Sequence, residues 1–199
     1  MDDAIILDKP VIYEEIQQKC EEIGFSMPSD MHVGAFLKAL ISAKPQSHFL
    51  ELGTGIGLSL SWMVDGMDKD SCLITVDNDE GLTAIARGYF GKDQRVTIVC
   101  SDGTEWIKGY QGQKFDLVFA DAWPGKYSEI EEVLDLVNLG GFYVIDDMKE
   151  QPNWPKGHRK HVDGLIAYLE ARTDFNLIKM NWSTGLIVAV RKNTNKTNV

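Results

Sequence analysis

Short apolar runs rich in β-branched and aromatic residues alternate with helical patterns along this chain. Five such runs predict strands, at Phe49–Leu52, Cys72–Asp77, Val96–Cys100, Phe115–Ala120 and Phe142–Ile145. The helical patterns between them begin near Gly57, Glu80, Thr104 and Ser128. Strands that alternate with helices are typical of parallel βαβ units, so we predict an α/β protein with a doubly wound sheet and helices on both faces.

The two ends of the chain add a helical cap and a hairpin. Val11–Ile23, preceded by Pro10, and Val33–Ala43 predict two helices before the first strand. Near the other end, His161–Arg172 predicts a helix, followed by strands at Asn176–Trp182 and Leu186–Arg191. Only Ser183-Thr184-Gly185 joins these last two strands, which forces an antiparallel hairpin.

These elements fit one domain over residues 1–199, with a helical cap at 1–45 and a frayed tail at 192–199. The predicted architecture is a Rossmann-like sheet of seven strands, mostly parallel, with the hairpin at its end.

Composition excludes several classes of protein. With 44% hydrophobic and 25% charged residues the chain is globular, and a net charge of −10 disfavours nucleic acid and anionic membranes as partners. There is no apolar stretch of about 18 residues, and the acidic start is unlike a signal peptide. Cys20, Cys72 and Cys100 lack metal-ligand spacing, so we expect buried, reduced thiols and a cytoplasmic location.

Glycines alternate after the first predicted strand, in Glu51-Leu52-Gly53-Thr54-Gly55-Ile56-Gly57. They permit a tight turn and close approach of a ligand to bare backbone, at the start of a helix whose free N–H groups attract it. Taken alone, this loop is equally an ordinary connection between a strand and a helix.

Carboxylates end the next two strands. Asp77, followed by Asn78, lies 20 residues after Gly57, where a carboxylate can accept from both hydroxyls of a ribose. In Ser101-Asp102-Gly103, Asp102 can accept from an adenine amino group or cap the next helix. NAD and S-adenosylmethionine both fit this arrangement, but the dinucleotide pattern prefers Gly or Ala where this chain has Leu58.

These motifs and the terminal hairpin resemble the class I S-adenosylmethionine-dependent methyltransferases, from Met31 to Arg191. Within that class the chain is most similar to the metal-dependent catechol and caffeoyl-CoA O-methyltransferases, since Met31-His32-Val33-Gly34 resembles the M-N-V-G of the catechol enzymes. The resemblance implies that S-adenosylmethionine contacts a set of residues at the strand ends: Val33, Glu51, Gly53, Gly55, Gly57, Ser59, Asp77, Asn78, Ser101, Asp102, Gly103, Asp121 and Trp123.

Three aspartates follow the fourth and fifth strands: Asp121, Asp146 and Asp147. Neighbouring strands would bring them together, and a divalent cation such as Mg²⁺ would relieve their repulsion and activate a substrate hydroxyl. The alternative is that the Asp146-Asp147 pair belongs to a turn and that Asp121 contacts only the cofactor. The related enzymes usually have Asn at the position of Asp147.

The general base of the related enzymes is a lysine, and Pro124 occupies its position here. Lys126 and Lys149 are the predicted substitutes, with Asp121 as the third catalytic residue, although solvated lysines would look the same in sequence. His158 and His161 form a weak candidate for a base or a metal pair.

The leading interpretation is an O-methyltransferase acting on a small, aromatic hydroxyl compound, in a homodimer as related small enzymes often are. Trp123, Tyr127, Trp154 and Trp182 would pack a planar substrate, or else anchor the core. Alternatives are a metal-free methyltransferase acting on nitrogen or a carboxylate, a nicotinamide-dependent oxidoreductase, and a cofactor-binding sensor without catalysis.

Overall fold

The computed structural model describes residues 5–6 and 8–193. Seven helices lie within these residues: α1 (Tyr13–Ile23), α2 (Met31–Ser42), α3 (Leu58–Gly66), α4 (Glu80–Phe90), α5 (Gly103–Gly109), α6 (Ile130–Asp135) and α7 (Arg159–Glu170). The seven strands are β1 (His48–Leu52), β2 (Cys72–Asp77), β3 (Val96–Cys100), β4 (Phe115–Ala120), β5 (Val137–Ile145), β6 (Phe175–Met180) and β7 (Leu186–Arg191).

The strands form one sheet in the order β3-β2-β1-β4-β5-β7-β6. Strands β1 to β5 pair in parallel, whereas β7 is antiparallel to both β5 and β6. This confirms the predicted fold class. Strands β2 and β3 lie on one side of β1, and β4 and β5 lie on the other. The strand order therefore switches between β1 and β4, and open α/β sheets bind ligands at such a switch point.

Side chains along the central strands alternate between two apolar clusters, one on each face of the sheet. Phe49 points into a cluster with α1 to α4, whereas Leu50 points into a cluster with α5 to α7. Because both faces are covered by helices, the central strands are almost continuously apolar.

Four predicted strand boundaries differ from the structure, and the larger differences are in β5 and β6. Strand β5 begins at Val137, where we predicted Phe142, because Val137 pairs with Phe115 before an irregularity in the ladder. Gly140 and Gly141 lie within this longer strand. Strand β6 ends at Met180, and Trp182 packs its ring edge-on to His32 and Phe36 instead of continuing the strand.

The expectation that all three thiols are buried was wrong. They are free, but Cys20 is buried, Cys72 is partly buried and Cys100 is exposed. Strand β3 forms an edge of the sheet, so its side chains are less covered than those of the central strands.

The helical cap packs against α3 through the motif around Gly34. Asp30 caps α2 by accepting from the backbone N–H of His32, and a Cβ on Gly34 would lie 2.3 Å from the Trp62 ring. Gly34 therefore permits the close contact between α2 and α3. Among the described residues no helix has both the length and the apolar composition to span a bilayer. Most of the tail predicted to fray, residues 194–199, lies outside the described residues.

Candidate active site

A cleft of about 740 Å³ opens at the carboxyl ends of the central strands. The pairing of Leu52 with Ala120 and of Ala120 with Ile145 brings the residues that follow these strands to one edge. Predicted site residues that line the cleft are Gly53, Gly55, Ser59, Asp77, Asn78, Asp121, Trp123, Lys126, Asp146 and Asp147. The structure therefore brings together ten of the residues that the sequence selected.

The glycine loop forms a cradle of bare backbone at one end of the cleft. Gly53 has φ +104°, and a Cβ there would lie 2.7 Å from the carbonyl oxygen of Asp121. The N–H of Gly55, whose φ is +51°, donates to Oδ2 of Asp77 at 2.8 Å. The loop and the β2 carboxylate thus support one another, and both fit the ribose and amino-acid parts of S-adenosylmethionine.

Glu51 lies beneath this loop and is completely buried. Its carboxyl oxygens accept from the hydroxyls of Ser59 and Thr75, each at 2.6 Å. Burial raises the pKa of Glu51 to about 7, against the lowering effect of these two hydrogen bonds. Through these hydrogen bonds Glu51 links β1 to β2 and to the start of α3. It does not line the cleft.

A tight turn after β4 places Lys126 and Tyr127 at the other end of the cleft. Gly125 adopts φ +85°, its N–H donates to the carbonyl of Ser128 at 2.7 Å, and the hydroxyl of Tyr143 donates to its carbonyl oxygen. A Cβ on Gly125 would lie 2.3 Å from a methyl group of Leu52. The turn is thus packed onto the sheet, which fixes the two residues that follow Gly125.

The three aspartates share this end of the cleft with Lys126, which is only 5% exposed. Burial and the neighbouring Asp146 raise the pKa of Asp121 well above its ordinary value, whereas the Lys126 cation lowers it. Burial and Asp147 raise the pKa of Asp146 to about 6. The hydroxyl of Thr184 and the N–H of Asp147 both donate to Oδ1 of Asp146.

These carboxylates do not fit the predicted cation site. No group of three or more His, Cys, Asp or Glu side chains within the described part of the chain is arranged to hold a metal ion. Oδ1 of Asp146 is already occupied by two donors, and a lysine lies buried among the same carboxylates. The metal prediction is therefore not confirmed.

Aromatic rings surround this end of the cleft. We use the term aromatic cluster for Trp123, Tyr127, Trp154, His158 and His161, whose neighbouring ring centroids are 4.6 to 6.2 Å apart. All of them except His161 line the cleft. Trp123 is 49% exposed, which is unusual for so large an apolar ring and leaves it free to contact a ligand.

Several predicted site residues do not line the cleft: Val33, Glu51, Gly57, Ser101, Asp102, Gly103 and Lys149. Val33 is fully buried in the core, so its side chain is not available to a ligand. Asp102 takes its alternative role, because it caps α5 by accepting from the N–H of Glu105 at 3.0 Å. Lys149 donates to the carbonyl of Ser183 at 3.1 Å.

Other residues of the cleft were not among the predicted site residues. The segment 25–30 covers the glycine loop, with Phe25 3.2 Å from where a Cβ of Gly55 would lie. Gln151, His158 and Thr184 complete the opposite wall. The hairpin turn that contains Thr184 was visible in the sequence, but its return to Asp146 depends on the pairing of β7 with β5.

Comparisons with known proteins agree with this geometry. Residues 5–154 match the family model described as O-methyltransferase. A Mycobacterium leprae protein named "Putative O-methyltransferase MLBr01075" is 28% identical over 144 residues, which are 70% of this chain and 64% of that protein. The matched region thus spans less than two thirds of the curated relative.

Solved structures share the fold over nearly the whole chain. The O-methyltransferase from Bacillus cereus in complex with SAH has a TM-score of 0.80 at 21% identity, covering 94% of each chain. The O-methyltransferase TomG from Streptomyces achromogenes, involved in tomaymycin synthesis and solved with SAM, has a TM-score of 0.82 at 20% identity, covering 95% of this chain and 93% of its own. At these identities the likeness concerns the fold. Together with the family match over residues 5–154, it shows that this chain belongs to the O-methyltransferase family.

Proposed function

We propose that this protein transfers a methyl group from S-adenosylmethionine to a hydroxyl of a small aromatic compound. The observation that carries this proposal is the division of a single cleft into two chemically different ends. One end is a cradle of glycine backbone beside Asp77, and the other combines aromatic rings with buried charged groups.

The cradle end supports binding of the cofactor. Asp77 lies at the end of β2, where its carboxylate can accept from the ribose hydroxyls. The bare backbone of Gly53 and Gly55 leaves room for the amino-acid part. S-adenosylmethionine supplies an electrophilic methyl group on a positively charged sulfur, and the carboxylates beyond the cradle favour that positive charge.

The aromatic end supports a planar acceptor. Trp123 and Trp154 flank the cleft, and their rings can stack on a second ring while the acceptor hydroxyl points toward Asp121 and Lys126. Such positioning accelerates methyl transfer by holding the acceptor oxygen in line with the methyl carbon.

Methyl transfer from isotope-labelled S-adenosylmethionine tests this proposal. The purified protein is incubated with a panel of phenols and vicinal aromatic diols, amines and carboxylic acids, and products are identified by mass spectrometry. We expect methyl ethers of the hydroxyl compounds. Methylated amines or esters instead would support the alternative in which the acceptor is a nitrogen or a carboxylate. Calorimetry that shows no binding of S-adenosylmethionine would overturn the proposal.

The predicted divalent cation is not part of the proposed chemistry. The carboxylates do not form a ligand set in the described residues, and Lys126 supplies a positive charge among them. We propose that the chain's own residues orient and deprotonate the acceptor, and that turnover continues in the presence of a chelator. Homodimer formation remains a proposal based on related small enzymes.

A further inference from the structure

Tyr127 and His158 form a hydrogen-bonded pair on the wall of the cleft. The hydroxyl oxygen of Tyr127 lies 3.1 Å from Nε2 of His158, with the two rings perpendicular and 5.2 Å apart. Both side chains line the cleft that holds Asp121 and Lys126. The sequence indicated His158 only as a weak candidate base beside His161, and Tyr127 only as a packing residue, so the pairing of the two is visible in the structure alone.

Neighbouring rings hold the pair in place from two sides. The Trp123 ring lies 4.9 Å from that of Tyr127, and the Trp154 ring lies 4.6 Å from that of His158. Tyr127 also follows the packed turn at Gly125, which fixes its backbone. The polar atoms of the pair are therefore oriented before a ligand enters, which is what a proton acceptor requires.

The proposed reaction needs such an acceptor. A phenolic hydroxyl has a pKa of about 10, so at neutral pH its proton must leave as the oxygen attacks the methyl group. Of the two lysines predicted as bases, Lys149 does not line the cleft, and its ammonium group donates a hydrogen bond to the carbonyl of Ser183. Lys126 is buried beside Asp121 and lowers the pKa of that carboxyl group, so its place in the site is that of a positive charge opposite the carboxylates.

We propose that Tyr127 and His158 act together as the general base of methyl transfer, a role that rests on the proposed function. The acceptor hydroxyl gives its proton to the Tyr127 oxygen as Tyr127 gives its own proton to Nε2 of His158. The acceptor oxygen forms a bond to the methyl carbon while the carbon–sulfur bond breaks. The products are a methyl ether, neutral S-adenosylhomocysteine and a protonated His158.

The charges around the pair are consistent with this role. Burial lowers the pKa of His158, and the nearby Lys126 and His161 lower it further, against a smaller opposing effect of Asp147. A lowered pKa favours the neutral imidazole of His158, which is the form that can accept a proton. Burial and the carboxylates raise the pKa of Tyr127, which keeps its hydroxyl protonated and able to donate. Activity should fall as the pH drops through the His158 pKa.

The test compares H158Q and Y127F with the control variant H48Q. His48 begins β1, at the end of the strand opposite to the cleft, and its Nδ1 lies 3.0 Å from Sγ of Cys72. With a phenol that is un-ionised at the assay pH, we expect kcat to fall about 10²- to 10⁴-fold in H158Q and Y127F and to remain near wild type in H48Q. The Kd for S-adenosylmethionine should stay unchanged in all three variants.

A second substrate separates proton transfer from a structural effect. A nitro-substituted phenol that is already ionised at the assay pH needs no base, so H158Q should methylate it at nearly the wild-type rate. Equal losses of kcat with both phenols would overturn the proposal, as would a wild-type rate for H158Q with the un-ionised phenol. If the wild-type protein methylates neither phenol, the proposed function fails as well, and this outcome is distinct from a failure of the pair alone.

Discussion

Glu51 should make the stability of this protein fall as the pH rises from 5 to 8. Its carboxyl group is completely buried and is held by the hydroxyls of Ser59 and Thr75. Burial raises its pKa from 4.5 to about 7. Between these values the unfolded chain has released the proton that the folded protein still holds, so rising pH favours unfolding, and above pH 7 the full penalty applies.

The two pKa values give the size of the effect. They differ by about 2.5, and each pKa unit corresponds to about 1.36 kcal/mol, so the ionised Glu51 lowers the free energy of unfolding by about 3 kcal/mol. Glu51→Gln removes the ionisation and keeps the shape of the side chain. Its amide oxygen can accept from one hydroxyl while its NH₂ group donates to the other.

Urea unfolding between pH 5 and 8.5 measures the difference between wild type and Glu51→Gln. We expect the two proteins to be close at pH 5 and the variant to be more stable by about 3 kcal/mol at pH 8. The matched control is Glu21→Gln on α1, because the Glu21 side chain is exposed and stays in water on folding. We expect this variant to show no such pH-dependent difference from wild type. A difference that is constant across this pH range would refute the reasoning.

Further predictions concern the cradle and the carboxylates. Asp77→Ala should weaken S-adenosylmethionine binding at least tenfold by calorimetry, since a charge-assisted hydrogen bond contributes about 1.5 to 3 kcal/mol; unchanged affinity in a folded variant would remove the ribose assignment. Gly53→Ala should lower the free energy of unfolding by about 1 to 3 kcal/mol, because φ +104° and a Cβ 2.7 Å from the Asp121 oxygen are both unfavourable; an unchanged melting temperature would contradict this. Methyl transfer should persist in EDTA, and Asp147→Asn should remain active; loss in EDTA with recovery in Mg²⁺ would restore the metal prediction. Sedimentation should show a dimer, and a species of 22.3 kDa at micromolar concentration would contradict it.

The sheet could be predicted closely because most of its strands are short apolar runs separated by helical patterns. Strands β2, β3, β4 and β7 have the predicted boundaries, since each is a β-rich apolar run that ends at a charged or small residue. Boundaries were missed where tertiary contacts decide them. Val137 belongs to β5 only because Phe115 lies opposite, and this pairing is invisible in the local sequence.

The glycine cradle of the cleft could also be predicted as a structural feature, because one short segment builds most of it. Gly53 and Gly55 lie within three residues of each other, and Asp77 ends the adjacent strand. The aromatic end, where we propose that the acceptor binds, is built from four separate segments of the chain. Tyr127 and His158 are 31 residues apart, and Thr184 reaches Asp146 across 38 residues. Their meeting depends on the Gly125 turn and on the antiparallel pairing of β7 with β5.

Under the proposed function, the charges at the aromatic end of the cleft restrict the compounds that can react there. Three carboxylates face one buried lysine, so this end attracts the positive sulfur of the cofactor and repels anions. An acceptor that brought its own negative groups would meet the same carboxylates and the net charge of −10 of the whole chain. A neutral phenol avoids this repulsion, and it becomes an anion only at the moment of transfer, when the sulfonium beside it can offset the charge. If the proposed function holds, these charges therefore favour acceptors whose hydroxyl is un-ionised on entry over acyl thioesters that carry phosphate groups.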